Sequence, residues 1–223
     1  MNVDFKPVRA NLGQQVFEYL LEHIYKMDIA PGTRLGVGEI ADQLGVSRSP
    51  VRDAIHLLMA EGLVEYGTSS GYQVIPVDRK YVEDVFVVRR ALEPTGLRLA
   101  ARHLDRECVA QLCDRWQQLR THPHSTDPDT LETHINADSY LHQSIGVMSG
   151  NAVLSEMVTK VVSRAAWIRR WVYSNRIPES HLAMMAEEHL QILDALQAGQ
   201  ADRGADLLEQ HLASGQAIAL NYL

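Results

Sequence analysis

Two apolar patterns divide the chain into a short first part and a long second part. In the first part, apolar residues recur at helical spacing from Leu12 to Ile24 and predict an opening helix. Two further helices are predicted over residues 39–44 and 47–62. Gly45 lies between them and is typical of the left-handed residue that ends a helix. The first part therefore begins with three helices joined by short connections.

A predicted hairpin follows these helices. Leu63–Tyr66 and Tyr72–Ile75 have the residue types of short strands, and the small, polar segment Gly67–Gly71 between them is typical of a turn. Three helices followed by a hairpin form a winged helix-turn-helix. We therefore predict that residues 1–76 form a first domain of this type.

The strand pattern disappears after Asp78, and helical spacing continues to the end of the chain. The polar stretch Thr121–Asp129 is the clearest predicted loop, and Asn175–Pro178 marks another break. The predicted helices cover residues 78–103, 105–120, 129–148, 151–173, 179–198 and 201–221. The predicted fold is mainly α, with an N-terminal winged helix-turn-helix and an all-α helical bundle over residues 77–223.

Composition narrows the classes of function. The chain has 223 residues, 46% of them apolar, and a net charge of −7. This charge argues against a protein that coats nucleic acid, but a specific DNA reader needs only a local basic face. No apolar run is long enough to predict a membrane span. Cys108 and Cys113 are poorly spaced for a disulfide or a zinc knuckle, which favours the reducing cytoplasm.

The start of the third helix carries candidate DNA-contacting residues. Arg48 and Arg52 are four residues apart and share a helix face from which they can reach guanine edges or phosphates. Ser47 and Ser49 can donate hydroxyl groups to phosphates near the positive end of the helix dipole. Arg34 could add a backbone contact. The alternative is a solvated polar face on an ordinary three-helix unit.

Residues 31–66, PGTRLGVGEIADQLGVSRSPVRDAIHLLMAEGLVEY, resemble the winged-helix domain of the GntR family of regulators. This resemblance implies a homodimer on palindromic double-stranded operator DNA. Gly38 stands where the family often has an arginine, and the wing GTSSG is less basic than usual. We therefore expect modest DNA affinity per monomer. The DNA-contacting residues that the resemblance implies are Ser47, Arg48, Ser49 and Arg52, with Gly71 at the wing.

The second part places four ligand-type residues on apolar helix faces. Asp138 and His142 are four residues apart on one predicted helix, and His189 and His211 lie on the apolar stripes of two others. Such residues can converge only inside the bundle, where helical proteins build metal sites. Three imidazoles and one carboxylate suit zinc, nickel, manganese or another divalent ion. The alternative is a set of core histidines that form hydrogen bonds without metal.

The segments NADSYLHQSIGVMSGN and EEHLQILDALQAG, together with His211, resemble the FCD domain of the FadR-type branch of the GntR family. The segment VRRALEPTGLRLAAR fits the first helix of that domain. The resemblance implies a metal ion, with zinc as the first choice and nickel or manganese as alternatives, and a small organic acid that completes its coordination. It also implies Arg89 as the partner of the effector carboxylate. The ligands that it implies are Asp138, His142, His189 and His211.

The role of Arg89 has an alternative, because Glu93 lies four residues further along the same helix and could form an ion pair with it. The sequence does not choose among Arg164, Arg169 and Arg170 as further pocket residues. Taken together, these patterns predict a ligand-responsive transcription regulator, expected to be a repressor, with no catalytic residues. The alternatives are a hydrolase-like metal enzyme, since such a site could activate water, and a regulator whose metal ion is purely structural.

Overall fold

The computed structural model describes residues 12–67, 71–121, 128–174 and 178–223. The chain divides into two compact units between Pro76 and Val77. The tip of the predicted hairpin, residues 68–70, lies outside the described residues. The first unit contains α1 (Leu12–Tyr25), α2 (Val37–Leu44), α3 (Arg48–Ala60), β1 (Val64–Gly67) and β2 (Gly71–Val74).

The core of the first unit lies mainly between α1 and α3. The predicted stripe of α1 is buried at Val16, Leu20 and Ile24, and α1 packs against α3. Val51 and Ile55 on α3 are fully buried. Burying such aliphatic side chains contributes about 1.5–3 kcal/mol each. This packing fixes the side of α3 that remains in solvent.

A tight turn at Gly45 connects α2 to α3. Gly45 has a φ of 66°, and the backbone N–H of Val46 donates to the carbonyl oxygen of Ala41 at 3.0 Å. This left-handed residue ends α2, as predicted. β1 and β2 pair antiparallel, with Val64 opposite Val74. The predicted winged helix-turn-helix is therefore confirmed.

The second unit is all helical over its described residues. Its observed helices begin and end within three residues of the predicted ones. Residues 122–127 of the predicted loop and 175–177 of the second break lie outside the described residues. The helices are α4 (Arg79–Ala100), α5 (Arg106–Thr121), α6 (Pro128–Met148), α7 (Ala152–Ser174), α8 (Glu179–Gln197) and α9 (Ala201–Asn221).

These helices enclose an interior that is apolar with a polar centre. α4 packs against α6, α7 and α9, and α8 packs against α5 and α9. Trp167, Leu141 and Leu193 are fully buried in this bundle. Several charged and imidazole side chains are buried with them. The charged ones need partners, because an unpaired buried charge is costly. No helix in the described part of the chain is long and apolar enough to cross a membrane.

Candidate functional site

The opening turns of α3 present the predicted DNA-contacting residues to solvent. Ser47 precedes the helix in an extended conformation, and Arg48, Ser49 and Arg52 are exposed on its first two turns. The opposite face of α3 is buried against α1. Hydroxyl and guanidinium donors therefore lie together at the positive end of a helix dipole, an arrangement suited to phosphates and base edges.

Two glycines in this unit lie against arginine side chains. A Cβ atom placed on Gly71 would lie 3.8 Å from Nη2 of Arg34, so this exposed guanidinium lies beside the wing. A Cβ atom on Gly38 would lie 3.6 Å from Nη2 of Arg48. Gly38, one of the two places at which the sequence departs from the GntR pattern, is thus next to the guanidinium of Arg48.

Three helices of the bundle bring four buried ligand-type side chains together. Asp138 and His142 extend from α6, His189 from α8 and His211 from α9, and one ligand atom of each lies within 4.8 Å of the others. All four side chains are nearly inaccessible to solvent. Oδ1 of Asp138 lies 3.6 Å from Nε2 of His142 and 3.4 Å from Nε2 of His189. These two Nε2 atoms are 3.5 Å apart, so the three atoms form a nearly equilateral triangle.

Carboxylates lie behind two of these histidines. Nδ1 of His142 lies 2.6 Å from Oε2 of Glu93, and Nδ1 of His211 lies 2.7 Å from Oε2 of Glu188. An N–H at Nδ1 of His211 can donate to Glu188, whereas the contact between Nδ1 of His142 and Glu93 is an ion pair. In both residues the Nε2 lone pair is then available to a ligand. This carboxylate–histidine arrangement orients metal-binding imidazoles in proteins and raises their basicity.

Aromatic packing holds the ring of the third histidine. The indole of Trp116 on α5 stacks on His189, with ring centroids 3.9 Å apart and ring planes inclined by 21°. Nε2 of His189 faces Asp138, whereas its Nδ1 is buried without a hydrogen-bond partner among the described residues. The stacked indole therefore restricts the direction in which His189 presents Nε2.

The electrostatics of the cluster favour ionised carboxylates and two neutral imidazoles, those of His189 and His211. Burial disfavours the charged form of Asp138, but Arg169 and His142 outweigh it and hold its pKa well below the ordinary value. Burial lowers the pKa of His189 to about 4 and that of His211 to about 3. The pKa of His142 is raised despite burial, because Glu93 and Asp138 favour its charged form. Neutral imidazoles and a carboxylate are the states that bind a metal ion.

Arg89 forms an ion pair inside the bundle. Its Nε donates to Oε1 of Glu93 at 2.6 Å and its Nη2 donates to Oε2 at 3.3 Å. Both side chains are only 1% exposed. Burial opposes ionisation of Glu93, but Arg89 and His142 lower its pKa to about 2. Arg89 therefore supports the cluster through Glu93 and His142, and it also lines the adjacent pocket.

That pocket opens beside Asp138 and His211 and encloses about 420 Å³, part of it open to solvent. Arg169 also lines it and forms an ion pair through Nη2 with Oδ2 of Asp138. The other two arginines on α7 lie elsewhere, because Arg164 is exposed and Arg170 pairs with Glu132 at 2.5 Å.

The chain belongs to the bacterial regulatory proteins of the gntR family and carries an FCD domain. The gntR family model matches residues 12–74 and the FCD domain model matches residues 84–214. These matches cover the winged helix and the helices that hold the buried cluster. The protein is thus a transcriptional regulator and not an enzyme, as predicted.

Similar proteins include several regulators. An HTH-type transcriptional regulator in an unstable DNA locus of Streptomyces ambofaciens is 28% identical over 89% of this chain and 81% of its own length. The transcriptional repressor RspR of Escherichia coli is 25% identical over 90% of this chain and 86% of its own length. The structure of E. coli McbR/YncC has a TM-score of 0.73 at 23% identity and covers 96% of this chain and 99% of its own. These matches extend over both units of this chain and over most of each relative's own length.

Proposed function

We propose that this regulator binds one divalent metal ion through Asp138, His142, His189 and His211. The observation that carries the proposal is the triangle of ligand atoms, whose sides are 3.4, 3.5 and 3.6 Å. Tetrahedral ligands at about 2.0–2.1 Å from zinc are roughly 3.4 Å apart, so the triangle fits such an ion. Zinc is the first choice, and nickel and manganese remain alternatives because the same ligand types bind them.

The rest of the chain prepares these ligands. Glu93 and Glu188 orient two imidazoles from behind, and Trp116 restricts the ring of the third. Such outer partners typically change metal affinity 10- to 100-fold when removed. The donor set also requires no proton to leave His189 or His211 at neutral pH, since burial keeps both imidazoles neutral.

The charge balance favours an anionic effector. Within the site, Arg89 balances Glu93 and Arg169 balances Asp138. A bound divalent ion therefore leaves an excess of positive charge beside the pocket, because the three imidazoles are neutral when they act as ligands. A divalent ion held by Asp138 and the three histidines would supply a Lewis-acid position for a carboxylate oxygen. We propose a small carboxylate as the effector, with Arg89 as its predicted partner and Arg169 as the alternative that lines the same pocket.

We further propose that residues 1–76 bind operator DNA as part of a homodimer. Arg34, Ser47, Arg48, Ser49, Arg52 and Gly71 are the proposed contacts. Their support is the exposure of the arginines and serines on the opening turns of α3 and beside the wing. Half-sites read by a two-fold symmetric dimer lie about one helical turn of DNA apart. The likeness to the repressor RspR supports repression as the mode of action.

Metal analysis of protein purified without a histidine tag tests the metal proposal. We expect about one ion per chain, and a loss of bound metal in Asp138→Ala and His189→Ala. Asp194→Ala and His103→Ala are matched controls, because both side chains are exposed on the bundle. Wild-type protein without stoichiometric metal after incubation with zinc, nickel or manganese would contradict the proposal.

Chelation separates a sensory ion from a structural one. The apo cluster retains its ion pairs and apolar surroundings, so we expect the protein to remain folded without metal. A carboxylate such as acetate or benzoate should raise the melting temperature of the metal-loaded protein and have no effect after chelation. Unfolding upon chelation would instead indicate a structural ion.

A further inference from the structure

The pocket beside the buried cluster is lined by side chains of two kinds. Its polar lining residues are Arg89, Asp138, Arg169 and His211. The other lining residues are mostly apolar, with Phe86, Ile168, Val172, Met185, Ile218 and Ala219 among them. A ligand with one charged group and an apolar body would match both kinds, because each part can meet surroundings of its own polarity.

The two arginines that line the pocket differ in the donors that they have left. Arg89 uses Nε and Nη2 for the two oxygens of Glu93. Nε and Nη2 of Arg169 are both buried without a hydrogen-bond partner among the described residues, although Nη2 forms an ion pair with Asp138. A buried donor without a partner costs free energy, and a ligand oxygen would relieve that cost. Arg169 is therefore the better-prepared guanidinium for an incoming carboxylate.

A hydroxyl group lies among the apolar lining residues. Tyr173 is one helical turn beyond Arg169 on α7, is 4% exposed and lines the pocket. Its Oη donates to Sδ of Met185 at 3.7 Å. A thioether sulfur is a weak acceptor, so this hydroxyl can turn to a ligand oxygen at little cost.

We propose that the pocket selects a small monocarboxylate with an apolar body, whose carboxylate meets Arg169 and which carries an oxygen for Tyr173. This inference rests on the proposed carboxylate effector and names its class. A dicarboxylate fits less well, because the other arginine of the pocket, Arg89, is already paired with Glu93 and the remaining lining is mostly apolar. Benzoate and 4-hydroxybenzoate are the simplest probes of the class, and succinate and glutarate are the matched dicarboxylates.

Calorimetric titration of the metal-loaded, full-length protein with these four acids tests the selection. We expect benzoate to bind at least about tenfold more tightly than either dicarboxylate, since an unpaired buried charge is costly. Dicarboxylates that bind as tightly as benzoate would overturn the inference and leave the proposed carboxylate effector standing. If none of the four acids bound, and acetate titrated in the same way did not bind either, the proposed carboxylate effector itself would fail.

The substitution Tyr173→Phe tests the hydroxyl contact. Wild-type protein should prefer 4-hydroxybenzoate to benzoate by about 2- to 10-fold, the range of one hydrogen bond. Tyr173→Phe should abolish this preference, because the ring is kept and the hydroxyl group is removed. Tyr140→Phe is the control, because Tyr140 is half exposed on α6 and does not line the pocket. A preference that survived in Tyr173→Phe would overturn the assignment.

Discussion

The ion pair between Arg89 and Glu93 offers the sharpest test of how the buried cluster is supported. Glu93→Gln keeps the shape of the side chain and removes its charge. The variant leaves a buried guanidinium without its counterion, since Arg89 is 1% exposed and holds both Glu93 oxygens. Removing one partner of a buried pair typically costs about 3–5 kcal/mol. We expect about 3 kcal/mol, because the glutamine oxygen still accepts one hydrogen bond.

Urea unfolding in the presence of a chelator measures this cost without the contribution of metal. Arg89→Met together with Glu93→Gln should be less destabilised than the sum of the single variants, because it removes both buried charges. Glu156→Gln is the control for the substitution itself. It removes the same charge from an exposed pair with Lys160 at the same spacing, and we expect no measurable change.

Metal affinity provides the second measurement on Glu93→Gln. Glu93 faces Nδ1 of His142 at 2.6 Å, so the variant should weaken metal binding about 10- to 100-fold. Two results would refute the reasoning: a cost below about 1 kcal/mol, or unchanged metal affinity in a folded variant. Either result would mean that Arg89 and Glu93 do not support the cluster. A cost below about 1 kcal/mol would also mean that Arg89 does not depend on Glu93 and is available to bind the effector.

Three further predictions concern acid stability, DNA binding and the pocket. Burial lowers the pKa of His134 to about 4, so the folded protein binds fewer protons than the unfolded chain between about pH 4 and 6.5 and loses stability as pH falls through that window. With chelator present, His134→Phe should make this loss shallower by about one bound proton, and an unchanged slope would contradict it. Arg48→Ala should weaken binding to DNA selected by the wild-type protein on the order of tenfold or more, as band shifts would show, whereas Arg106→Ala on the bundle should not. Gly215→Ala should raise the melting temperature of the apo protein through helix propensity. It should also weaken benzoate binding, because its Cβ would lie 3.4 Å from Phe86 in the pocket, and stronger binding would count against a ligand body that lies beside Phe86.

The helices were predictable because local rules decide most of their bounds. The apolar stripe of α1 and the left-handed glycine at residue 45 are visible in the sequence, and both lie where they were expected. The pair Asp138 and His142 was equally visible, because a spacing of four places two side chains on one helix face. His189 and His211 were visible as ligand-type residues on apolar stripes, and the family resemblance strengthened the prediction that they meet this pair, since three separate helices supply the group.

The supporting residues could not be predicted in the same way. Glu188 contacts His211 across 23 positions of the chain, and Trp116 stacks on a histidine of another helix. Contacts of this kind depend on how helices pack, and no periodicity encodes them. Arg169 could not be distinguished from its neighbours on α7 for the same reason. An available signal was the charge of Asp138, because a carboxylate buried among apolar residues requires a cation nearby.

The two oxygens of Asp138 face different partners, with Oδ1 toward the imidazoles and Oδ2 toward Arg169. A pocket ligand that draws Arg169 away from Asp138 would leave more of the negative charge of this carboxylate to interact with the metal ion. Affinity for the effector and affinity for the metal are then linked, and thermodynamics requires each to change the other by the same factor. A cell with little of the metal ion would therefore also respond less to the effector. Through Asp138, the activity of this regulator would depend on the concentrations of both the metal ion and the effector.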